Sequence, residues 1–286
     1  MALQQTNPGY VIEFVANPTS DPNVLRFKYA FWAFKAAIDG FKYCLPVITI
    51  DGTHLYGKYG GHLLLAVSMN GNKEIFPITY SIVDGETRDS WTWFMKLLAQ
   101  HVFGDVEHIC IISDRHGGID VAFRDLPELS EPRIQRWYYL RHLRSNLMTR
   151  FKNKMLKALV WQAGCAMDTR AFDATMKKIR VIDDGAYNYL MAIPERFWAL
   201  SHDGGFRHGL ITTNSSESFN NSLKGCRVLP VAALVKKTYE KLSLMFGHRR
   251  THGLIMQQAG LPWPRRIFDE ILNREKTQIP GAFSTS

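Results

Sequence analysis

The chain has 286 residues, 46% of them apolar, with a formal net charge of +9 at pH 7 and a pI near 9.4. This length allows one large domain or two small ones, and the charge favours a polyanionic partner, although a basic but inert surface is the competing interpretation. The sequence predicts no membrane span, no secretory signal and no zinc-binding cysteine pair.

Strands alternate with helices in the first half of the chain. Residues 1–24 are polar and turn-rich, and the aromatic run at 26–38 predicts a helix. Apolar runs predict five strands, at residues 43–50, 62–68, 75–83, 108–112 and 134–139. The turn at Asn70 indicates a hairpin, and the helix that Asp89 and Ser90 could cap makes the fourth strand parallel to an earlier one.

Helical patterns dominate the second half. Residues 150–200 read as helical, one further helix starts near Asn214, another spans about 231–247, and the tail after Ile279 is expected to be disordered. The order predicts an α/β, ribonuclease-H-like core with a mixed five-stranded sheet and an all-helical insertion before the last core helix. The predicted divisions are an N-terminal segment with one helix at 1–40, the core at 41–149, the insertion at 150–205, the core completion at 206–250 and a tail at 251–286.

Two acidic residues follow apolar strands. Asp51 comes after Val-Ile-Thr-Ile, and Asp114 comes after Cys-Ile-Ile-Ser. Taken singly, Asp51 can be a turn residue and Asp114 a helix cap. If the two strands are parallel neighbours, their ends lie ~5 Å apart, and the carboxylates could bind hard divalent cations. Asp84 ends a strand two positions away and is interpreted as a turn residue.

Glu217 is the third acidic candidate, in Thr-Thr-Asn-Ser-Ser-Glu-Ser-Phe-Asn. With Asn214 as the N-cap, Glu217 occupies the third helical position, so a capping box explains it without catalysis. The polar residues crowded around it, beside a basic helix, favour a functional role instead. Both interpretations stay open on the sequence alone.

The chain resembles the Mutator-like element (MULE) transposases of plants over residues 25–250. The most specific stretch begins Pro-Val-Ile-Thr-Ile-Asp-Gly-Thr-His and continues through Ile-Val-Asp-Gly-Glu-Thr-Arg-Asp-Ser-Trp-Thr-Trp-Phe. The resemblance implies a metal-dependent DDE core in which Asp51, Asp114 and Glu217 hold two Mg²⁺ or Mn²⁺ ions. It further implies that the partners are double-stranded DNA, namely transposon ends and target, and that the protein acts in the nucleus. A homo-oligomer is compatible with the resemblance, and no membrane partner is expected.

The sequence departs from that family at one motif and lacks two modules. Tyr139 stands where the family has the cysteine of a Cys-x-x-His pair, while His142 remains. The zinc-binding recognition domain and the zinc finger of full-length members are not found in this sequence. A domesticated, inactive DNA- or protein-binding domain is therefore the alternative to a transposase, and a ribonuclease H or another nuclease of this fold is a third interpretation.

Basic residues concentrate near these motifs. Residues 133–160 contain eight Arg or Lys and no acidic residue. Such runs are usually solvated faces, but their position beside two acidic motifs favours a DNA track. The residues expected to contact DNA are Arg115, Arg141, His142, Arg144, Lys224 and Arg227.

Overall fold

The computed structural model describes residues 5–58, 60–208, 210, 214–261 and 267, without the side chains of Asn214, Ser215 and Glu217. Its strands are β1 (Val11–Pro18), β2 (Leu25–Ala33), β3 (Val47–His54), β4 (His62–Met69), β5 (Ile75–Val83), β6 (Ile109–Ser113) and β7 (Ile134–Tyr138). Its helices are α1 (Lys35–Phe41), α2 (Arg88–Leu98), α3 (Gly117–Asp125), α4 (Leu140–Phe151), α5 (Lys154–Gly164), α6 (Thr169–Ile182), α7 (Asp184–Met191), α8 (Asn214–Ser222) and α9 (Val231–Gln258). No helix in these ranges is long and apolar enough to cross a bilayer.

The strands form one mixed sheet in the order β1-β2-β5-β4-β3-β6-β7. β3 pairs antiparallel with β4 and parallel with β6, and β6 pairs parallel with β7. The helical crossover through α2 gives β6 its direction, as the sequence predicted. The carboxyl ends of β3, β6 and β7 therefore lie at one edge of the sheet.

The five expected strands correspond to β3–β7. Two further strands, β1 and β2, come from the N-terminal residues and extend the sheet beside β5. The predicted helix at 26–38 is wrong, because residues 25–33 form β2 and only the short α1 follows. Aromatic side chains fit a helix or a strand. Residues 25–33 form a strand because they pair with β1 on one side and β5 on the other, which buries Phe31 and Trp32. Periodicity in a short aromatic run could not resolve this competition.

Helices cover both faces of the sheet. On one face, Phe31 packs against Trp93 and Phe94 of α2. On the other, Trp32 donates its indole hydrogen bond to Thr238 of α9 at 3.0 Å, and Phe219 of α8 packs on Tyr80 of β5. The face under α8 and α9 is the one that carries Asp51.

Residues 140–199 build a hydrophobic cluster of their own. Its members lie on α4, α5, α6 and α7 and on the segment that follows. Trp198 is fully buried there, and Phe172 packs against it at 5.4 Å between ring centroids. The aromatic residues of the predicted insertion thus include core-forming side chains. The helix predicted at 231–247 continues to Gln258 and so takes up the first residues of the predicted tail. The disorder expected after Ile279 falls outside the described residues.

Candidate active site

Asp51 is a strand residue, not a turn residue. It lies inside β3, opposite Leu65 of β4, and Gly52 continues the pairing opposite Leu64. The interpretation of Asp51-Gly52 as a turn dipeptide is therefore wrong. Successive strand residues face opposite sides, so Asp51 shares a face with Thr49 and lies below α8.

Asp114 directly follows β6, the parallel neighbour of β3. Thr49 pairs with Ile112 across the β3–β6 ladder, and each acid comes two residues after its member of that pair. Neighbouring strands are ~4.8 Å apart, and the negative charge of Asp114 raises the pKa of Asp51, so the two acids lie near one another. Asp114 also accepts the amide hydrogen bond of His116 at 3.2 Å, while His116 itself caps α3 by accepting from Gly118.

The environment of Asp51 opposes its ionisation. Burial raises its pKa to about 7, and the negative charges of Asp114 and Glu86 push in the same direction. Hydrogen bonds from Asn220 and the Gly52 backbone act against this but do not cancel it. A carboxylate that must lose its proton beside two other acids is stabilised by a bound cation.

Asn220 connects α8 to this carboxylate. Its Nδ2 donates to Asp51 Oδ2 at 2.8 Å, its side chain is almost fully buried, and Arg227 Nη2 donates to its backbone oxygen at 2.7 Å. The sequence indicated Asn220 only as one of several polar residues around Glu217. Its direct contact with Asp51 spans 169 residues of chain, and no local pattern signals a contact of that kind.

Glu217 lies in α8, three residues before Asn220, and its side chain is outside the described part of the chain. Positions three apart are neighbours on a helix surface, so position 217 is next to the residue that holds Asp51. Thr212 and Thr213 also lie outside the described residues. Within the described side chains, no group of three His, Cys, Asp or Glu is arranged to hold a metal ion.

Tyr139 forms the floor between the two acidic strands and α8. Its hydroxyl donates to Ile50 O at 3.0 Å and lies 2.8 Å from Ser216 Oγ, and its ring is buried. Burial and the charge of Asp51 raise the pKa of Tyr139 well above its ordinary value, so the phenol stays protonated. The residue that replaces the expected cysteine thus fastens α8 to β3.

Glu86 is an acidic residue near the site for which the sequence indicated no role. Gly52 makes room for it, because a Cβ on Gly52 would stand 2.5 Å from the Glu86 carboxyl carbon. Glu86 also lies 3.9 Å from His62 Nε2, and the rings of His54 and His62 are 4.3 Å apart. Burial, with the nearby His54 and His116, lowers the pKa of His62 despite Glu86. A glycine directly after Asp51 was the only sequence signal for this arrangement.

The six residues expected to contact DNA occupy different environments. Arg115, Arg141 and Lys224 are exposed, whereas His142 and Arg144 are half-buried and Arg227 is buried. Arg144 lies over the Trp161 ring at 4.9 Å, and Arg115 donates to the Tyr189 hydroxyl at 3.3 Å. Arg141 and Lys224 are exposed cations that follow Tyr139 and α8 closely in the chain. Their contact with DNA stays a prediction.

Comparison with known proteins matches residues 47–146 to the family model of the MULE transposase domain. The match runs from β3 into α4 and includes Asp51, Asp114 and Tyr139. No curated protein matches the chain.

Proposed function

We propose that this chain, whose residues 47–146 match the MULE transposase domain, cleaves and rejoins DNA at transposon ends with two divalent metal ions. The proposal rests on the parallel β3–β6 register, in which Thr49 pairs with Ile112, and on the negative charge of Asp114 that raises the pKa of Asp51. The best cation for such oxygen ligands is Mg²⁺, with Mn²⁺ as its substitute.

The described donors fit a hard cation. Asp51 is held by the neutral amide of Asn220 and has no Arg or Lys hydrogen-bond partner among the described side chains. Asp114 and Glu86 add negative charge that raises the Asp51 pKa. Asp51, Asp114 and Glu217 would hold the ions, with Glu217 supplying the third carboxylate that the described side chains do not provide.

Each residue has a separate task in this proposal. When bound, the ions supply Lewis-acid stabilisation of the attacking and leaving oxygens of an in-line displacement. Asn220 fixes the orientation of the Asp51 carboxylate, and Tyr139 with Ser216 fixes the helix that carries Glu217. Exposed cations beside this edge, including Arg141 and Lys224, would hold the DNA backbone through phosphate contacts.

The decisive experiment compares Asp51→Asn with Asp105→Asn. Asp105 is an exposed acid in the loop before β6, at the opposite end of that strand from Asp114, so its variant removes one charge without touching the site. We expect Asp51→Asn to lower Mg²⁺-dependent cleavage of a transposon-end duplex by at least about a hundredfold, and Asp105→Asn to cleave like wild type. Equal cleavage by wild type and Asp51→Asn would overturn the assignment.

The same assay separates catalysis from a pure binding role. A wild-type protein that binds duplex DNA but shows no cleavage with Mg²⁺ or Mn²⁺ would identify the domesticated, inactive alternative. An RNA–DNA hybrid included beside duplex DNA tests the ribonuclease H interpretation, which predicts that only the hybrid is cut.

A further inference from the structure

A cavity of about 590 Å³ opens at the same edge of the sheet as the acidic site. Its lining comes from the start of β2, the end of β5, the loop after β3 and the segment between α8 and α9. Leu55 lines it four residues after Asp51, so the cavity lies roughly 13 Å from that carboxylate along the strand. This volume is typical of a site for a small organic group.

The cavity combines apolar walls with a basic rim. Leu55 and Val228 contribute apolar surface, and Phe27 contributes an aromatic ring that is 47% exposed. Arg26 and Lys28 belong to the same lining. Lys58 and Arg227 add two more cations, against the single carboxylate of Asp84. A ligand with a flat apolar part and a negative charge matches this composition.

Arg227 places a buried positive charge in the wall of the cavity. Its side chain is only 6% exposed and belongs to the lining. A charge that is shielded from water attracts an anion in the cavity more strongly than an exposed charge does. Arg227 also donates to Asn220, which donates to Asp51, so the cavity is joined to the acidic site by two hydrogen bonds.

The start of β2 is shaped toward this rim. The β1–β2 register pairs Val15 with Tyr29 and Ala16 with Phe27, and therefore skips Lys28. A bulge of this kind re-aims side chains near a functional edge. Both Phe27 and Lys28 line the cavity as a result.

We propose that this cavity binds an unpaired nucleotide of the DNA strand next to the cleavage site. Phe27 and the apolar walls receive the base, and the surrounding cations contact its phosphates, which is how proteins hold single strands without reading sequence. The proposal rests on the proposed function for its substrate, but its test does not depend on cleavage. A free mononucleotide has the same chemistry, so the test includes one.

The test measures fluorescence anisotropy of two labelled duplexes in EDTA, one blunt and one with a three-nucleotide unpaired 3′ end. Wild type should bind the unpaired end more tightly. Phe27→Ala should weaken that binding about tenfold, with little change for the blunt duplex. The Arg26→Ala/Lys28→Ala double variant should also lose most of the preference.

Matched controls exclude general effects of charge and apolar area. Phe14 is a half-exposed phenylalanine on β1 outside the cavity, and Lys42 and Lys96 are exposed lysines away from it. Phe14→Ala and Lys42→Ala/Lys96→Ala should retain the preference for the unpaired end. All these positions are solvent-accessible to a degree that should leave Tm close to wild type.

Each result decides the proposal. The proposal would be overturned if wild type bound both duplexes equally, or if Phe27→Ala and Phe14→Ala weakened binding of the unpaired end equally. It would also be overturned if deoxyadenosine monophosphate competed as strongly as the oligonucleotide. If wild type prefers the unpaired end but does not cut DNA, the cavity assignment stands and the catalytic proposal fails. Cutting without preference would remove the cavity assignment alone.

Discussion

At the scale of single residues, Asp51 is the group most changed by folding. Burial and two neighbouring acids raise its pKa to about 7. Between pH 4 and pH 7 the folded protein therefore holds a proton that the unfolded chain has released. Since the folded state binds more protons in this window, metal-free stability should fall as pH rises through it.

We expect Asp51→Asn to remove this pH dependence. In EDTA, wild type should lose about 2–4 kcal/mol of unfolding free energy between pH 4 and pH 7 relative to the variant, allowing for partial exposure of the carboxyl. Urea titrations followed by tryptophan fluorescence measure the difference. Parallel stability curves for the two proteins would contradict the proposed environment of Asp51.

Divalent cations should stabilise wild type relative to Asp51→Asn, the reverse of the result expected in EDTA. A bound ion favours the ionised form of Asp51 and stabilises only the folded state. Added Mg²⁺ should therefore raise the Tm of wild type at pH 8 and leave Asp51→Asn unchanged. A matched rise in Asp105→Asn would show that the effect is specific to the site. Identical shifts in wild type and Asp51→Asn would count against metal binding by Asp51.

At the scale of elements, α8 is fastened to the sheet by two polar contacts and a short apolar face. Ser216, Phe219 and Asn220 are the buried positions among its described side chains, and Leu223, directly after the helix, continues the same side. Ser216 meets the Tyr139 hydroxyl and Asn220 meets Asp51. The position of Glu217 thus depends on contacts made by its neighbours in the helix.

Removing the Tyr139 hydroxyl should loosen α8. Tyr139→Phe leaves the buried Ser216 hydroxyl without that partner, so we expect the unfolding free energy to fall by about 1–3 kcal/mol. Hydrogen exchange of the α8 amides should rise as well. In a double-mutant cycle, Tyr139→Phe and Ser216→Ala should be coupled by about 1 kcal/mol. The exposed Tyr43 provides the control, because Tyr43→Phe should change neither the unfolding free energy nor the hydrogen exchange of α8. Additive effects of Tyr139→Phe and Ser216→Ala would show that the hydrogen bond between them contributes nothing.

At the scale of the whole molecule, positive charge and a split core set the behaviour. Most of the sheet and its helices form one hydrophobic cluster, and residues 140–199 form another. A third, smaller cluster consists of Val47, Cys110, Ile112, Trp137 and Tyr139. The basic run at 133–160 crosses from the sheet into that second cluster. Some of its cations are committed to the protein itself: Arg136 pairs with Asp120 and lies over Phe123, for example.

Salt dependence distinguishes a phosphate track from a solvated face. Duplex affinity of the wild type should fall steeply as salt rises, because bound phosphates release counterions. In Arg141→Gln and Lys224→Gln the slope of log K against log salt should fall by about 0.9 for each phosphate that the variant no longer binds. Lys96→Gln, on the opposite face of the sheet, should keep the wild-type slope. Unchanged slopes in all three would assign Arg141 and Lys224 to ordinary solvated surface.

Local sequence signals predicted β4 to β7 within one residue at each end, because strong apolar runs and a helical crossover leave few alternatives. They placed β3 four residues too early, at 43–50, which is why Asp51 was expected after the strand and not within it. They failed for β2, where an aromatic run fits helix or strand equally and only pairing with β1 and β5 decides. They predicted the parallel pairing of β3 with β6, on which the proximity of Asp51 and Asp114 depends. They gave no role to Glu86, because its position depends on the space that the missing Cβ of Gly52 leaves, and that space is known only from the folded structure.

The sequence by itself determined which residues could do the chemistry: the acids after two apolar strands, the polar helix start around Glu217 and the excess of positive charge. These are properties of composition and short spacing, which need no partner. Only the tertiary structure decided that Asn220 holds Asp51, that Tyr139 fastens α8 to β3, and that a basic cavity adjoins the site. Those contacts join residues 77 to 169 positions apart, and distance in space between such residues is fixed by packing, not by local pattern.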